Sequence, residues 1–382
     1  MRVLHVFRSY YPDSDGGIER ALAHLCAGTS RLGVRNHVFA LSPQPASRPI
    51  RQGRAVVHQR RRHLELASCS MSMNTMLFFR RLVRHSDVLH YHFPWPFADV
   101  LHLLMGRHKP ALVTYHSDIV RQRRLERLYR PVMRRFMAQM ETVVATSPQY
   151  MVGSPVLSTL GHRQMRVIPL GLDERRYPPV RPEEVEQWRQ RVGEGFFLFI
   201  GVLRYYKGLH ILLETLRHNR HRVVIVGSGP MARQLREQAD RLGLNDRVTF
   251  TGYLPDDDKQ ALLYLCRALV FPSHQRSEAF GVSLIEAAMA SRPMITADIG
   301  TGTSYVNRCG ETGIVVPPSD AVALGEAMDK LAAAPDVAAQ LGAAARQRFE
   351  SHLDISRSAI AYRDLYAEII ASAAEAAGRR IA

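Results

Sequence analysis

The segment ALVFPSHQRSEAFGVSLIEAAMAS, residues 268–291, shows in a few residues how this chain is built. Its apolar start, ALVFPS, predicts a buried strand, and the polar stretch HQRSEAFG that follows predicts a loop. The run VSLIEAAMA then has the apolar content and spacing of a helix. A strand followed by a loop and a helix is the repeating unit of a parallel sheet covered by helices.

The same alternation recurs along the chain. Helical stretches separate the apolar runs, the first helix being predicted from Ile18 to about Leu32. The 382 residues exceed what one ordinary core holds, so the sequence predicts two doubly wound α/β domains. The further predicted strands are RVLHVF, HVFAL (37–41), AVVHQ (55–59), DVLHYH (87–92), ALVTYH (111–116), TVVATS (142–147), FFLFIGV, RVVIVGSG, RVTFTGYL, PMITAD and GIVVPP.

The domain boundary is predicted within residues 167–188, where Pro178, Pro179 and Pro182 follow a strand and precede a helix. We therefore expect domains over residues 1–175 and 185–355. A last helix, at about residues 358–378, follows the final strand and is expected to pack back on either domain.

The net charge of +16 is unevenly distributed. Residues 1–180 hold 27 Lys and Arg against 11 Asp and Glu, whereas residues 181–382 hold 24 of each. The first half is therefore expected to face an anionic partner: nucleic acid, an acidic lipid surface or a phosphorylated substrate. The four cysteines lack metal or redox spacing, and no apolar run has the length of a membrane span, so we expect a cytoplasmic protein.

Glycines and cations follow several predicted strands, where α/β proteins bind ligands. Each feature alone also fits a tight turn or a solvated charge. Two cations together with exposed backbone amides suit a diphosphate. These positions are Gly16 and Gly17 after the first strand, Arg204, Lys207 and Gly208 in GVLRYYKG, and Gly227 and Gly229 in VVIVGSGP.

Two carboxylates flank the loop of the opening segment. Glu278 precedes the predicted helix and Glu286 lies within its first two turns. Side chains tilt toward a helix N-terminus, so both carboxylates can reach the space into which the amides of Phe280, Gly281 and Val282 point. This arrangement predicts a ligand that carries both phosphate and sugar hydroxyls.

The motifs EAFG with a second Glu eight residues on, LRYYKG, VGSGP, TGYLP and TGIVVPP occur here in an order that resembles retaining glycosyltransferases of family four. That family has the GT-B fold, two Rossmann-like domains facing a central cleft, and uses nucleotide-sugar donors. The start, RVLHVFRSYYPDSDGGIE, further resembles bacterial mannosyl- and rhamnosyltransferases that build O-polysaccharide on a lipid carrier from GDP-sugars.

The resemblance implies a role for each matching residue. Glu278 would contact hydroxyls of the donor sugar and Glu286 the ribose, while Arg204 and Lys207 would neutralise the leaving diphosphate. His116 would face the donor sugar across the cleft. The remaining implied contacts are Gly16 and Gly17 closing over the diphosphate, Gly227 at a strand end, Phe280, Gly281 and Val282 at the sugar or phosphate, and Gly252 and Tyr253 beside the nucleobase.

Two positions depart from the family pattern: Ser291, where Gly is usual, and Val202, where Arg is frequent. No cofactor or essential metal is predicted, because the two cations would take the metal's role. Asp256, Asp257 and Asp258 resemble a metal motif but precede a helical run, so they are interpreted as acidic helix caps. For the configuration at the anomeric carbon to be retained, the acceptor hydroxyl would attack from the face of the leaving phosphate. The departing phosphate oxygen would take the hydroxyl proton, and no general base is assigned.

The segment VRQRRLERLYRPVMRRFMAQM, residues 120–140, predicts a helix with an apolar and a basic face, which could break at Pro131. The apolar set is Leu125, Leu128, Tyr129, Val132, Met133, Phe136, Met137 and Met140, and the basic set is Arg123, Arg127, Arg130 and Arg134. One interpretation is a core stripe with a solvated Arg face. The other is docking on anionic lipid or on a lipid diphosphate acceptor, aided by the basic residues 51–63.

The leading hypothesis is therefore transfer of D-mannose or D-rhamnose from a GDP-sugar to a lipid-diphosphate-linked saccharide, at the inner face of the cell membrane. Alternatives with this fold are a transferase that uses UDP-sugars and a sugar-nucleotide epimerase. Nucleic-acid binding is disfavoured because the aromatic residues lie mostly in apolar stripes. A nicotinamide oxidoreductase is disfavoured because VGSGPMA does not complete GxGxxG.

Overall fold

The computed structural model of the protein describes residues 1–66, 69–119, 123–161 and 165–381. The chain divides into two compact units. The first contains residues 1–171 and the C-terminal segment from residue 355, and the second contains residues 172–354. Among the described residues, no helix has the length and apolarity needed to cross a membrane.

Within the described residues, the first unit is built on eight strands in the order β10-β9-β8-β7-β1-β2-β4-β3. Neighbouring strands are parallel except β3 and β4. The strands are β1 Arg2–Val6, β2 Arg35–Ser42, β3 Ile50–Gln52, β4 Ala55–Arg61, β7 Val88–Phe93, β8 Ala111–Tyr115, β9 Thr142–Ala145 and β10 Met165–Val167. A separate antiparallel hairpin pairs β5 Leu64–Leu66 with β6 Cys69–Met71.

Helices cover this sheet, so its central strands are buried along their length. The helices are α1 Gly17–Arg31, α2 Met76–Arg84, α3 Pro96–Leu101, α4 Arg123–Met137, α5 Pro148–Gly153 and α14 Ile355–Ile381. A π-helical turn over His102–Gly106 continues α3.

The C-terminal helix α14 packs in the first unit. Tyr362 and Tyr366 share its core with Val3, and both are buried. Gly28 on α1 permits close packing, because a Cβ there would lie 2.8 Å from the Cβ of Ala359. The helix thus covers the sheet beside α1.

The second unit, whose residues 172–354 are all described, has six parallel strands in the order β13-β12-β11-β14-β15-β16. They are β11 Phe197–Ile200, β12 Val223–Val226, β13 Val248–Gly252, β14 Ala268–Phe271, β15 Met294–Ala297 and β16 Gly313–Val316. The helices are α6 Pro182–Val192, α7 Leu209–Thr215, α8 Ala232–Arg241, α9 Asp256–Leu265, α10 Val282–Met289, α11 Thr303–Val306, α12 Ala321–Ala333 and α13 Pro335–Arg348.

Three local predictions have clear outcomes. The three aspartates form the first turn of α9, and each contacts a protein partner: Lys259, Arg181 or the Trp188 indole. Their acidic charge lies in the first turn, where it suits the helix dipole, but the predicted capping is not formed, because Pro255 is the N-cap residue and no side chain caps the helix. Ser291 adopts a φ of 56°, in the left-handed region that favours the glycine usual at this position. Helix α4 continues through Pro131 without a break.

The apolar face predicted for α4 is only partly correct. Met133, Phe136, Met137 and Met140 are buried, but Leu128 is 79% exposed. A residue at apolar spacing can still face away from the core when no neighbouring element covers it. Residues 120–122 and the side chains of Arg123 and Leu125 lie outside the described part of this prediction.

Candidate active site

The predicted ligand-binding loops of the second unit follow adjacent strands. Strand β11 lies between β12 and β14, so the loops after these strands meet at one edge of the sheet. Two glycines permit their close approach. A Cβ at Gly208 would lie 2.0 Å from the carbonyl oxygen of Pro272, and a Cβ at Gly227 would lie 2.0 Å from that of Gly201. Both glycines also have positive φ, which other residues rarely adopt.

Lys207 and Glu278 meet across these loops. The Lys207 ammonium donates a hydrogen bond to Glu278 Oε2 in a buried ion pair. Ser273 Oγ also donates to Oε2, at 3.4 Å. Among the described residues, no donor bonds to Glu278 Oε1. That oxygen can therefore accept a hydrogen bond from a ligand hydroxyl.

The Lys207 ammonium packs against two aromatic rings. Its Nζ lies 4.5 Å from the ring centroid of Phe271 and 5.5 Å from that of Tyr206, so two aromatic faces add to the attraction of Glu278. Arg204, at the start of the 3-10 turn Tyr205–Lys207, has an exposed side chain. The loop thus presents one buried and one exposed cation.

Helix α10 begins beside this ion pair. Gly281 is its N-cap residue with a φ of 85°, and no side chain caps the amides of the first turn, where Val282 lies. Phe280 is buried against Gly302, where a Cβ would lie 2.5 Å from the Phe280 ring. Uncapped amides at a helix N-terminus favour an anion.

Glu286 lies on α10 and is buried. Its Oε1 accepts a hydrogen bond of 2.9 Å from the Tyr177 hydroxyl. Sequence reasoning did not predict this partner, because the two residues lie 109 positions apart and nothing local signals their contact. The ribose contact of Glu286 stays a prediction.

Gly252 ends the edge strand β13, and Tyr253 begins the loop after it. The Gly252 carbonyl accepts a 2.8 Å hydrogen bond from the Gly227 amide, so two predicted glycines are in direct contact. Tyr253 is 65% exposed, which leaves its ring accessible for stacking.

Gly16 and Gly17 lie in the first unit, as N-cap and first residue of α1. The buried Glu19 carboxylate accepts hydrogen bonds from Ser9 and Ser14, at 2.7 and 2.8 Å. A Cβ at Gly16 would lie 2.5 Å from Glu19 Oε2. The glycine therefore also serves packing, and Glu19 ties the first loop to its helix, a role that the sequence did not reveal.

His116 also lies in the first unit, directly after β8. It is buried, and its Nε2 lies 2.9 Å from His92 Nδ1. His92 Nε2 in turn lies 3.2 Å from His5 Nδ1. Burial lowers the pKa of His116 to about 3 and that of His5 to about 4, so both rings are neutral at pH 7.

A second set of histidine contacts surrounds His90. Its Nδ1 lies 2.7 Å from the Tyr366 hydroxyl, and its Nε2 lies 2.7 Å from Thr114 Oγ1. Nitrogens of His5, His90 and His92 lie within 4.8 Å of one another, the only such set found among the described residues. Both nitrogens of His90 are engaged by hydroxyl groups, so protein hydrogen bonds account for this cluster.

The family follows from comparison of the whole chain with known proteins. Residues 15–176 match Glycosyltransferase Family 4, and residues 180–348 match Glycosyl transferases group 1. The chain belongs to this family of GT-B glycosyltransferases, which confirms the predicted family, fold and enzyme class.

Two curated relatives match nearly the full length. The chain is 49% identical to D-rhamnosyltransferase WbpZ of Pseudomonas aeruginosa over 349 residues, 91% of each protein. It is 42% identical to O-antigen chain mannosyltransferase C of Escherichia coli over 372 residues, 97% of this chain and 100% of the relative. Among solved structures, sucrose-phosphate synthase of Thermosynechococcus elongatus has the same fold, with a TM-score of 0.79 at 21% identity over 97% of this chain and 99% of that one.

The buried ion pair generates a first prediction. Lys207→Ala and Glu278→Ala should each abolish glycosyl transfer and lower the free energy of unfolding by about 3–5 kcal/mol, because each leaves a buried charge unpaired. The double variant Lys207→Met with Glu278→Gln should regain most of that stability and remain inactive. Denaturant unfolding and product formation by mass spectrometry measure the two effects. Near-wild-type turnover in either purified single variant would refute the prediction.

The buried histidines generate a second prediction, on pH. The folded pKa values of His5, His90, His92 and His116 lie below the ordinary 6.5, so the unfolded chain binds more protons below pH 6.5. The free energy of unfolding should therefore be highest near neutral pH and fall as the pH drops from about 6.5 toward 4, by about 1 kcal/mol per pH unit for each histidine. Burial raises the pKa of Asp99, which acts in the opposite direction, but burial also lowers the pKa of His37, His58 and His102, which act in the same direction as these four.

Urea unfolding at pH 7.5, 6.5, 5.5 and 4.5 measures this slope. The matched variant His90→Phe should show a smaller slope, because it lacks one of the four groups. A wild-type stability that stays constant from pH 6.5 to 4.5 would contradict the prediction.

Proposed function

We propose that this glycosyltransferase moves a D-rhamnosyl or D-mannosyl residue from a GDP-sugar to a lipid-diphosphate-linked saccharide in O-antigen synthesis. One observation carries the proposal. Two curated relatives, at 49% and 42% identity over 91% and 100% of their length, are named for D-rhamnosyl transfer and for O-antigen mannosyl transfer. The GDP moiety rests on the resemblance of the first strand and loop to GDP-sugar enzymes.

The second unit supplies groups suited to such a donor. Lys207, Arg204 and the uncapped amides of α10 favour a diphosphate, and they stabilise negative charge as it develops on the leaving group. Glu278 Oε1 accepts a sugar hydroxyl, and Glu286 accepts a ribose hydroxyl. In this assignment neither carboxylate is the general base.

The reaction we propose proceeds with retention of configuration. The bond between the anomeric carbon and the phosphate oxygen breaks, and the acceptor hydroxyl oxygen forms the new bond from the same face. The hydroxyl proton passes to the departing phosphate oxygen, so no protein base is needed. The cations of the loop after β11 take the part that a metal ion plays in other transferases, and no cofactor takes part. We assign His116, Gly16 and Gly17 to substrate contact as well, as the resemblance implies.

The first unit carries a surface suited to a membrane. Helix α2 packs against the π-helical turn, and α3 packs against both α4 and β6, so these elements form one contiguous region. It exposes large apolar side chains together with arginines, and we name it the basic apolar surface. Its exposed members are Leu64, Leu66, Met73, Leu77, Leu104, Leu128, Arg80, Arg81, Arg84, Arg127, Arg130, Arg134 and Arg135.

Exposed apolar side chains beside cations suit the headgroup region of an anionic leaflet. Each Arg near such a surface contributes roughly 1 kcal/mol of attraction. We therefore place the enzyme at the inner face of the cell membrane, where a lipid-linked acceptor is presented. Nucleic acid is the disfavoured anionic partner, because the exposed side chains here are aliphatic and offer no stacking platform.

The donor assignment is tested by thermal unfolding with a panel of nucleotide sugars. A matched donor at 100 times its Kd should stabilise the fold by about 2.7 kcal/mol through mass action. GDP-mannose and GDP-D-rhamnose should raise Tm, whereas UDP-glucose should not. Stabilisation by UDP-sugars alone would overturn the GDP assignment, and conversion of a nucleotide sugar to its isomer without transfer would indicate an epimerase.

Membrane docking is tested by co-sedimentation with vesicles. The enzyme should bind vesicles that contain phosphatidylglycerol and detach at high salt. The double variant Leu77→Ser with Leu128→Ser should bind at least about tenfold less, because it loses two exposed apolar anchors. The matched control Val322→Ser changes a residue of the second unit that is 66% exposed and should bind as wild type. Equal binding to neutral phosphatidylcholine vesicles would argue against the proposed surface.

A further inference from the structure

A line of buried side chains crosses the first sheet and ends at His116. Asn36 on β2, His5 on β1, His92 on β7 and His116 after β8 belong to four adjacent strands. The ring nitrogens and the amide oxygen follow one another at 3.0, 3.2 and 2.9 Å. All four residues are at most 4% exposed. Neither the family resemblance nor the pattern of strand-end motifs assigns a role to the first three.

The direction of hydrogen bonding is determined at Asn36. Its Nδ2 lies 2.9 Å from the backbone carbonyl oxygen of Cys26. A carbonyl can only accept, so the atom that faces it is the amide nitrogen. The other amide atom, Oδ1, therefore faces His5 Nε2 at 3.0 Å, and His5 must carry its proton on Nε2.

The direction passes unchanged along the line because each ring is neutral. Burial lowers the pKa of His5, His92 and His116, and the neighbouring histidines lower that of His92 further. A neutral imidazole has one N–H and one acceptor nitrogen. His5 Nδ1 thus accepts from His92 Nε2–H, and His92 Nδ1 accepts from His116 Nε2–H. His116 is left with a lone pair on Nδ1.

The Nδ1 lone pair of His116 is available to a ligand. Among the described residues, no side chain or backbone group forms a hydrogen bond with that atom. His116 also lines a small cavity of the first unit together with Thr114, Leu170, Gly171 and Tyr362. A ring nitrogen with a lone pair accepts a hydrogen bond from a hydroxyl group, whereas in the other tautomer the same nitrogen carries a proton and can only donate.

We infer that Asn36, His5 and His92 are positioning residues that hold His116 in the Nε2–H tautomer, so that its Nδ1 accepts a hydrogen bond from a hydroxyl of the sugar substrate. The inference rests on the proposed function for the identity of that substrate. The line ends at a carboxamide, which takes up no proton at neutral pH. It therefore orients His116 and does not conduct a proton away from it.

His90 provides a matched control. It lies on the same strand as His92, is equally buried, and has a pKa that burial lowers in the same way. Its hydrogen bonds go to Tyr366 and Thr114, so it is not part of the line to His116. His92→Phe and His90→Phe each replace one buried imidazole by a ring of similar shape, and only the first removes the acceptor of His116 Nε2–H.

The tautomer is measured directly by nitrogen-15 NMR of the full-length protein labelled at histidine, with His116→Gln used to identify the signals of His116. In the wild type we expect Nε2 protonated and Nδ1 unprotonated. A protonated Nδ1, or an equal mixture of tautomers, would overturn the inference without any variant or activity assay.

The variants then separate positioning from structure. His92→Phe should convert His116 to a tautomer mixture and lower kcat about tenfold, the loss of one well-placed hydrogen bond, with little change in KM. His90→Phe should lower Tm by about as much as His92→Phe does. It should leave the His116 tautomer unchanged and kcat within about twofold of the wild-type value. Equal loss of activity in both variants, with the His116 tautomer unchanged, would reduce the line to a structural role and refute the inference. If His92→Phe does not fold, His5→Phe tests the next link in the same way.

Failure of the proposed function is distinguishable. If no GDP-sugar is turned over while His116 shows the expected tautomer and His92→Phe disturbs it, the substrate assignment fails and the hydrogen-bond line stands. If the enzyme transfers sugar from a GDP-sugar but His116 does not show the expected tautomer, only the inference about the hydrogen-bond line is refuted.

Discussion

The buried pair of Lys207 and Glu278 is the interaction on which the second unit's site depends. Two charges removed from water are costly unless each meets the other in good geometry, so the loops that carry them must come together. The glycines at 208 and 227 make this possible, because a side chain at either position would collide with a neighbouring carbonyl. The positions of the loop after β11 and of the start of α10 follow from this one requirement.

The first unit also buries polar side chains that need partners, but its buried groups are neutral. Four histidines lie in the sheet interior, and burial keeps them uncharged. A buried neutral imidazole is stabilised when its N–H and its lone pair find partners. His5, His90 and His92 find both partners within the protein, from neighbouring strands and from Tyr366, and the bonds between strands give the line its direction. Within the described part of the chain, His116 Nδ1 alone of these nitrogens keeps its lone pair for a ligand. The hydrogen bonds that stabilise these buried rings thus also fix the orientation of His116.

The two units divide the chemistry by charge. The basic excess of the whole chain belongs to residues 1–180, and the second half is balanced. A balanced unit with two local cations suits a small anionic ligand, whereas arginines beside exposed aliphatic side chains suit an extended anionic surface. The structure adds Leu77 and Leu128 to this picture, since both are about 80% exposed in the part of the chain that is described.

The sequence by itself determined the α/β class, the strands of both sheets that are long and apolar, and the segments that follow them. Apolar runs bounded by glycine, proline and polar residues are local signals, and parallel strands necessarily bring their carboxyl ends to one edge. The short strands β3, β5, β6 and β10 were not predicted, because three residues carry too little pattern. The exposure of Leu128 was not predicted either, because spacing shows a face but not what covers it.

Only the tertiary structure decided which distant residues meet. Tyr177 reaches Glu286, and Asn36 bonds to His5. Each contact depends on how strands and helices pack against one another, and no residue's own neighbours in sequence carry that information. The line from Asn36 to His116 is the clearest case: its members are ordinary strand residues until parallel pairing sets them side by side.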